Sequence, residues 1–264
     1  MGNMPSQHAL LHPHLASMPL SAALAPEMRA ALSEYDPKAA IQRLAECHLE
    51  DVFSLPLLCP NFCQQLREEV QYFRQRVEGE GEISPGLLLS SRWYLYQINP
   101  GFKVLFDQLL QEVLTQIDHA LIPSETHQIA YHQAYCINYE EDRDLSLKAH
   151  TDDSDLTVNV FLGIPGFEGA ELLLLEPTPE DVAAGTPRLE PGVYKGGITE
   201  YHHRAVGTAV LHPGDRWHAV QPLKSGSRWN LIIMAMRNDK EWKRTFYDET
   251  SVQLEEKAKF LKKG

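Results

Sequence analysis

The residues best suited to chemistry are His150 and Asp152, separated by Thr151 and followed by the apolar run Leu156-Thr157-Val158-Asn159-Val160-Phe161-Leu162. Side chains alternate along an extended strand, so an imidazole and a carboxylate one residue apart share a face and can grip one ion. A distant second histidine would complete the facial triad that holds non-haem Fe(II) and leaves coordination positions open. Leu211-His212-Pro213-Gly214-Asp215-Arg216-Trp217-His218 offers His218 for that place, and Arg228 then opens the strand Arg228-Trp229-Asn230-Leu231-Ile232-Ile233-Met234. A metal and a buried arginine together suit a dicarboxylate that chelates the ion at one end and pairs with guanidinium at the other. That describes 2-oxoglutarate.

Taken singly, each residue has an ordinary reading: a surface turn for His150 and Asp152, a strand histidine for His218, a surface strand start for Arg228. Their order along the chain favours the functional reading. His202-His203 is also a conspicuous pair, but adjacent residues face opposite sides of a strand, and it reads as loop surface.

Such a site needs a rigid β scaffold, and the second half of the chain supplies the pattern. From Gln128, Tyr131, Gln133, Tyr135, Ile137 and Tyr139 fall on one strand face, and Ala130, His132, Ala134, Cys136 and Asn138 on the other. Leu172-Leu173-Leu174-Leu175 is apolar throughout, as in a strand covered on both sides. Short strands punctuated by turns predict an α+β chain with a double-stranded β-helix, or jelly roll, and amino-terminal helices packed on one sheet. One predicted helix starts at an Asn61 cap and carries Phe62, Leu66, Val70 and Phe73 on one face. A second follows Asn99-Pro100-Gly101 with a stripe from Phe102 to Leu121 and stops at Pro123. Leu87 to Ile98 reads as strand or loop. Glu176 to Tyr201, rich in Pro and Gly, reads as a lid or substrate loop. The expected organisation is a disordered leader over 1–25, a helical support region over 26–126, a β-helix core over 127–238 and a helical tail over 239–264.

Composition narrows the partners. At 264 residues, 43% hydrophobic and 23% charged, the chain can bury one substantial core. A net charge of -12 argues against a phosphate backbone as the main partner, so no nucleic acid is expected, while a basic substrate would be steered favourably. The four cysteines show no zinc or redox spacing, which fits a reducing compartment, cytoplasmic or nuclear. No membrane partner is expected. Met1-Gly2-Asn3-Met4-Pro5-Ser6 fits a loose myristoylation pattern, but nothing polybasic follows it. The order of these residues is silent on oligomeric state.

His150-x-Asp152, His218 and Arg228 on a predicted β-helix resemble the Fe(II)/2-oxoglutarate-dependent dioxygenases, in particular their prolyl-4-hydroxylase-like branch. The resemblance is strongest from Tyr135 to Arg237, in Ile137-Asn138-Tyr139, His150-Thr151-Asp152, Leu156-Thr157-Val158-Asn159-Val160 and Arg228-Trp229-Asn230-Leu231-Ile232. It runs more weakly through the amino-terminal helices. It implies that His150, Asp152 and His218 hold Fe(II) and that Arg228 binds the distal carboxylate of 2-oxoglutarate. It further implies that Tyr139 is a pocket tyrosine and that Asn159 reaches the co-substrate. Members often have a tyrosine near the position of Phe161, so Tyr135 is the replacement hydroxyl, with Leu172, Ile232 and Met234 as pocket wall. The implied reaction converts 2-oxoglutarate and O2 to succinate and CO2 while hydroxylating a prolyl, lysyl or similar side chain. The substrate would be a protein or a small amino-acid-like molecule, with ascorbate allowed as an auxiliary. Two other readings stand beside it: a non-catalytic 2-oxoglutarate sensor, and a zinc hydrolase with Asp153 or Asp155 as base.

Overall fold

The computed structural model describes residues 10–79, 92–122, 128–140, 145–163, 166–203 and 205–237. The myristoylation-like pattern, His8, most of the Gly79–Gly86 linker, Pro123, part of the charged loop before the His150 strand and the tail from 239 lie outside these residues.

The largest sheet is organised on β13 (Ser227–Arg237), which pairs antiparallel with β4 (Ile129–Glu140) on one side and β6 (Leu156–Phe161) on the other. Beyond β6 come β10 (Thr208–His212), β2 (Val52–Pro56) and β1 (Glu46–Leu49), and β3 (Arg92–Tyr94) borders β4, giving a seven-stranded sheet. A second antiparallel sheet has the order β5 (Leu147–His150), β11 (His218–Val220), β8 (Leu172–Glu176), β9 (Gly197–Tyr201). A short pair, β7 (Glu168–Gly169) and β12 (Leu223–Ser225), forms a separate ladder, with Leu223 packed into the cluster between the two larger sheets.

Period-two alternation decides what each face buries. Tyr135, Ile137 and Tyr139 of β4, Val210 of β10 and Ile232 of β13 meet Leu172, Leu174 and Val220 of the smaller sheet in one buried cluster. The opposite face of the larger sheet, with Ala134, Cys136, Val158, Val160, Leu211, Trp229, Leu231 and Ile233, packs under the helices. The β4 faces read from the sequence are those the fold uses.

Helix α4 (Pro60–Gly79) begins one residue before the predicted cap, because proline is favoured in the first turn, where its missing N–H is not needed. Its Phe62, Leu66 and Val70 are buried as expected. The second predicted helix is a continuous helical run of α6 (Gly101–Leu109), a π-helical turn Leu110–Leu114 and α7 (Thr115–Leu121). Phe102 and Phe106 are buried completely or nearly so, each worth roughly 2–3 kcal/mol of apolar transfer. Two polar ties fix this helical run to the sheet. His132 of β4 bridges Asp107 at 2.8 Å and the Tyr96 hydroxyl at 2.5 Å, and Arg237 at the end of β13 grips Asp118 through two contacts of 2.7 Å.

Four expectations are corrected. The leader is ordered over residues 10–25: Leu15 and Leu20 enter the helix-side core, and the buried Glu69 carboxylate accepts the Leu11 and His12 N–H groups. α1 (Leu20–Ala23) is too short for periodicity to reveal. The region 26–126 is not only helical, since besides α2 (Pro26–Leu32) and α3 (Pro37–Leu44) it contributes β1, β2 and β3 to the main sheet. Leu87–Ile98, so far as it is described, is β3 followed by the single-turn helix α5 (Leu95–Ile98). The stretch 176–201 is no lid over the His150 pocket. It forms α8 (Pro179–Ala183) and β9, and lays Leu189 and Tyr194 over Leu173 and Leu175 on the outer face of the smaller sheet. That apolar outer face needed covering.

Candidate metal centre

Strand pairing brings the two histidines together. In the β11–β5 ladder His218 lies directly opposite His150, and the ring centroids are 4.1 Å apart. Asp152 follows β5, where its N–H donates to the Gly214 carbonyl at 2.8 Å. That turn requires glycine: a Cβ at Gly214 would lie 1.9 Å from the Ser154 carbonyl oxygen. The Asp152 carboxylate then faces both imidazoles, with Oδ1 3.6 Å from His150 Nε2 and Oδ2 3.7 Å from His218 Nε2. One ligand atom from each of the three lies within 4.8 Å of the others, and this is the only such group among the described residues.

The tautomers suit metal binding. His150 Nδ1–H donates to the Lys148 carbonyl at 2.8 Å, and His218 Nδ1–H to the Arg216 carbonyl at 2.9 Å. Both Nε2 lone pairs therefore point toward Asp152, an arrangement in which the outer hydrogen bond orients the ligand. Burial, reinforced by neighbouring His212, pushes the His218 pKa down to about 3 and keeps the ring neutral. Thr157 Oγ1–H donates to Asp152 Oδ2 at 2.6 Å, and Ser154 Oγ lies 2.7 Å from Thr157 Oγ1. Thr157→Val is expected to lower affinity for a divalent transition metal by about 10–100-fold with little change in fold, as for other outer-shell partners of metal ligands. Titration of the variant with Co(II) would show it, and wild-type affinity would mean that the hydroxyl does not orient Asp152.

Arg228, Asn230 and Ile232 share the inward face of β13 and line the same cavity as the triad, together with Tyr135, Tyr139, Thr157, Asn159, Leu172 and His212. Met234 packs against that cluster without lining the cavity. Arg228 is fully buried, and burial lowers its pKa to about 10, leaving it charged at neutral pH. Its Nε–H donates to Asn230 Oδ1 at 2.9 Å, Nη1 donates to the Ala170 carbonyl, and the guanidinium carbon lies 5.5 Å from the Tyr139 ring centroid. Asn159 Oδ1 accepts from Asn230 Nδ2 at 2.5 Å, so Asn159 is linked to the arginine through Asn230 while itself lining the cavity. Tyr135 also lines the cavity, and burial raises its pKa, keeping the hydroxyl a donor. Phe161 lies outside this cavity, with its ring centroid 5.4 Å from that of His203.

The reading of His202-His203 as surface holds for one residue and fails for the other. His202 is exposed, but the His203 ring turns inward and its Nε2 lies 2.7 Å from Arg228 Nη2. The alternation that sends one residue out sends its neighbour in, and an irregular backbone gave no pattern to say that the inner side was the core. Asn230 was findable, two residues beyond Arg228 on one strand face. His212 is fully buried with its ring centroid 4.7 Å from that of His218, and its Nε2 has no hydrogen-bond partner among the described residues. Its place at the inner end of β10 depends on pairing with Thr157, which the linear chain does not show.

The model of the OGFOD2-like domain matches residues 4–126, which is the part where the motif resemblance was weaker. The chain is 30% identical over 229 residues to 2-oxoglutarate and iron-dependent oxygenase domain-containing protein 2 of Mus musculus, covering 84% of this chain and 61% of that protein. It is 32% identical over 223 residues to the Homo sapiens protein of that name, covering 80% of this chain and 58% of that one. It thus spans about three fifths of these relatives. Among solved structures, a prolyl 4-hydroxylase from Phytophthora capsici superposes with a TM-score of 0.51 at 14% identity, covering 80% of this chain and 65% of that one. By sequence the chain resembles 2-oxoglutarate and iron-dependent oxygenase domain-containing protein 2 over most of its length, and by fold it resembles a prolyl 4-hydroxylase.

Proposed function

We propose that the chain is an Fe(II)/2-oxoglutarate-dependent dioxygenase acting on a prolyl, lysyl or similar amino-acid side chain, in a protein or a small amino-acid-like substrate. The observation that carries this reading is one cavity lined both by a His-Asp-His cluster with ligand atoms within 4.8 Å of one another and by a fully buried arginine. On this reading the two sheets are those of a double-stranded β-helix. The donor set of two imidazoles and one carboxylate fits Fe(II), with both Nε2 atoms and the carboxylate already converging.

When bound, iron and 2-oxoglutarate supply the oxidising chemistry, in which O2 and the 2-oxo acid give succinate and CO2 and a substrate C–H bond is hydroxylated. The chain's residues position and enclose. Arg228 pairs with the distal carboxylate, the Tyr135 hydroxyl is a second donor in the same cavity, and Leu172 and Ile232 exclude water from it. Asn159 and Tyr139 act on Arg228, one through Asn230 and one through its ring face. The zinc hydrolase reading loses its base. Asp155 accepts the Arg237 N–H at 2.8 Å, and neither Asp153 nor Asp155 lines the cavity.

Anaerobic reconstitution with Fe(II) and 2-oxoglutarate tests the proposal. A weak visible charge-transfer band is expected, followed by succinate release on admission of oxygen. A band that never leads to succinate, even with prolyl and lysyl peptides, would favour a sensor, and no band at all would overturn the co-substrate assignment.

A further inference from the structure

Behind Arg228 lies a second, larger cavity of about 630 Å³, lined by Phe161, Phe167, Glu171, His203, Val206 and Lys224 among others. Two of its lining residues bond to the Arg228 side chain, which lines the triad cavity: Ala170, whose carbonyl accepts from Arg228 Nη1, and His203, the one that does so through its side chain among the described residues. Its Nε2 is 2.7 Å from Arg228 Nη2 and 3.3 Å from Asn230 Nδ2. A guanidinium has no acceptor, and the Asn230 amide oxygen already accepts from Arg228 Nε, so both neighbours donate and His203 Nε2 accepts. The ring proton therefore sits on Nδ1, which is buried and has no hydrogen-bond partner among the described residues. Burial and the adjacent Arg228 cation push the His203 pKa well down, so the ring stays neutral and remains an acceptor. Phe161 and Tyr201 hold it in place, with ring centroids 5.4 and 5.2 Å away.

From this arrangement we infer that His203 is the back wall of the co-substrate pocket and a positioning residue for Arg228, and that it sets the length of dicarboxylate the site accepts. The inference rests on the reading of Arg228 as the partner of the distal carboxylate. The reach from the triad to the guanidinium fixes how many methylenes fit between the two ends of the acid. His203 fixes the guanidinium in two ways. Its Nε2 takes one N–H, and its ring occupies the space into which the arginine could otherwise retreat. Without the ring the two cavities would join, and Arg228 could withdraw toward Phe161 and Glu171.

The test is anaerobic titration of the Fe(II)-loaded chain with 2-oxoglutarate and with 2-oxoadipate, which is one methylene longer, read by the visible chelate band. Wild type should prefer 2-oxoglutarate by roughly 10–200-fold, the range one methylene commands in a fitted pocket. His203→Ala should weaken 2-oxoglutarate about tenfold and bring the two acids within a few-fold of each other, with iron content unchanged. His203→Phe, which fills the space without an acceptor, should weaken 2-oxoglutarate yet still reject 2-oxoadipate, and His203→Gln, which keeps an acceptor, should recover part of the 2-oxoglutarate affinity. An unchanged ratio in His203→Ala, whether or not both affinities fall, overturns the length-setting role. A wild-type chain that holds iron but binds neither acid overturns the assignment of Arg228, and the inference with it.

Discussion

Asp152→Ala is expected to yield a folded chain that no longer retains Fe(II) and releases no succinate above background. The carboxylate is the only anionic member of the cluster and faces both Nε2 atoms, at 3.6 and 3.7 Å. Its side chain is only 10% exposed, so solvent has little room to substitute for it. Removing it leaves only two imidazoles, and the affinity loss should far exceed the ~10–100-fold of an outer partner such as Thr157. Metal content after desalting, measured beside a thermal melt of the apo-protein, separates loss of iron from loss of fold. A variant that keeps iron and turns over 2-oxoglutarate at the wild-type rate would remove Asp152 from the metal site.

Arg228→Met should behave in the opposite way, retaining iron but losing 2-oxoglutarate affinity by at least about 100-fold, the weight of a buried charge-assisted pair. It should also lose stability. Arg228 donates to Asn230, the Ala170 carbonyl and His203, and each buried acceptor left without a donor costs about 1–3 kcal/mol. Arg228→Lys keeps the charge but cannot reach three acceptors from one ammonium, so an intermediate loss is expected. If arginine were only a strand clamp, the melting temperature would fall while the chelate band still saturated at the wild-type concentration of 2-oxoglutarate. That pattern would defeat the co-substrate assignment, and unchanged iron content keeps it distinct from the Asp152 result.

Much of this site was legible because strand periodicity is local. Once β6 is a strand, Thr157 and Asn159 must share a face, and once β13 is a strand Arg228 must point where Asn230 and Ile232 point. The α4 and α6–α7 stripes were readable on the same ground, since burial at helical spacing needs no knowledge of what covers it. What failed lacked a period. Leu15 and Leu20 sit in short helical turns, and the chain leading into them is tied to Glu69 of α4 through the Leu11 and His12 N–H groups. The 176–201 stretch has the composition of a mobile loop, yet Leu189 and Tyr194 pack on the outer face of the smaller sheet.

The sequence by itself determined the chemical types and part of their local direction: an imidazole and a carboxylate two positions apart, a second histidine downstream, and an arginine on an inward face with apolar neighbours; the shared strand face expected for His150 and Asp152 is not used, because β5 ends at His150. Only the tertiary structure decided that they meet. Register sets His218 against His150, the Gly214 turn fixes the backbone of Asp152, and the packing of an irregular segment brings His203 Nε2 to 2.7 Å from Arg228 Nη2. Side-chain direction within a strand follows from covalent geometry and is written in the spacing of residues. Cross-strand register and the burial of an irregular loop follow from the packing of the whole core, to which distant residues contribute together.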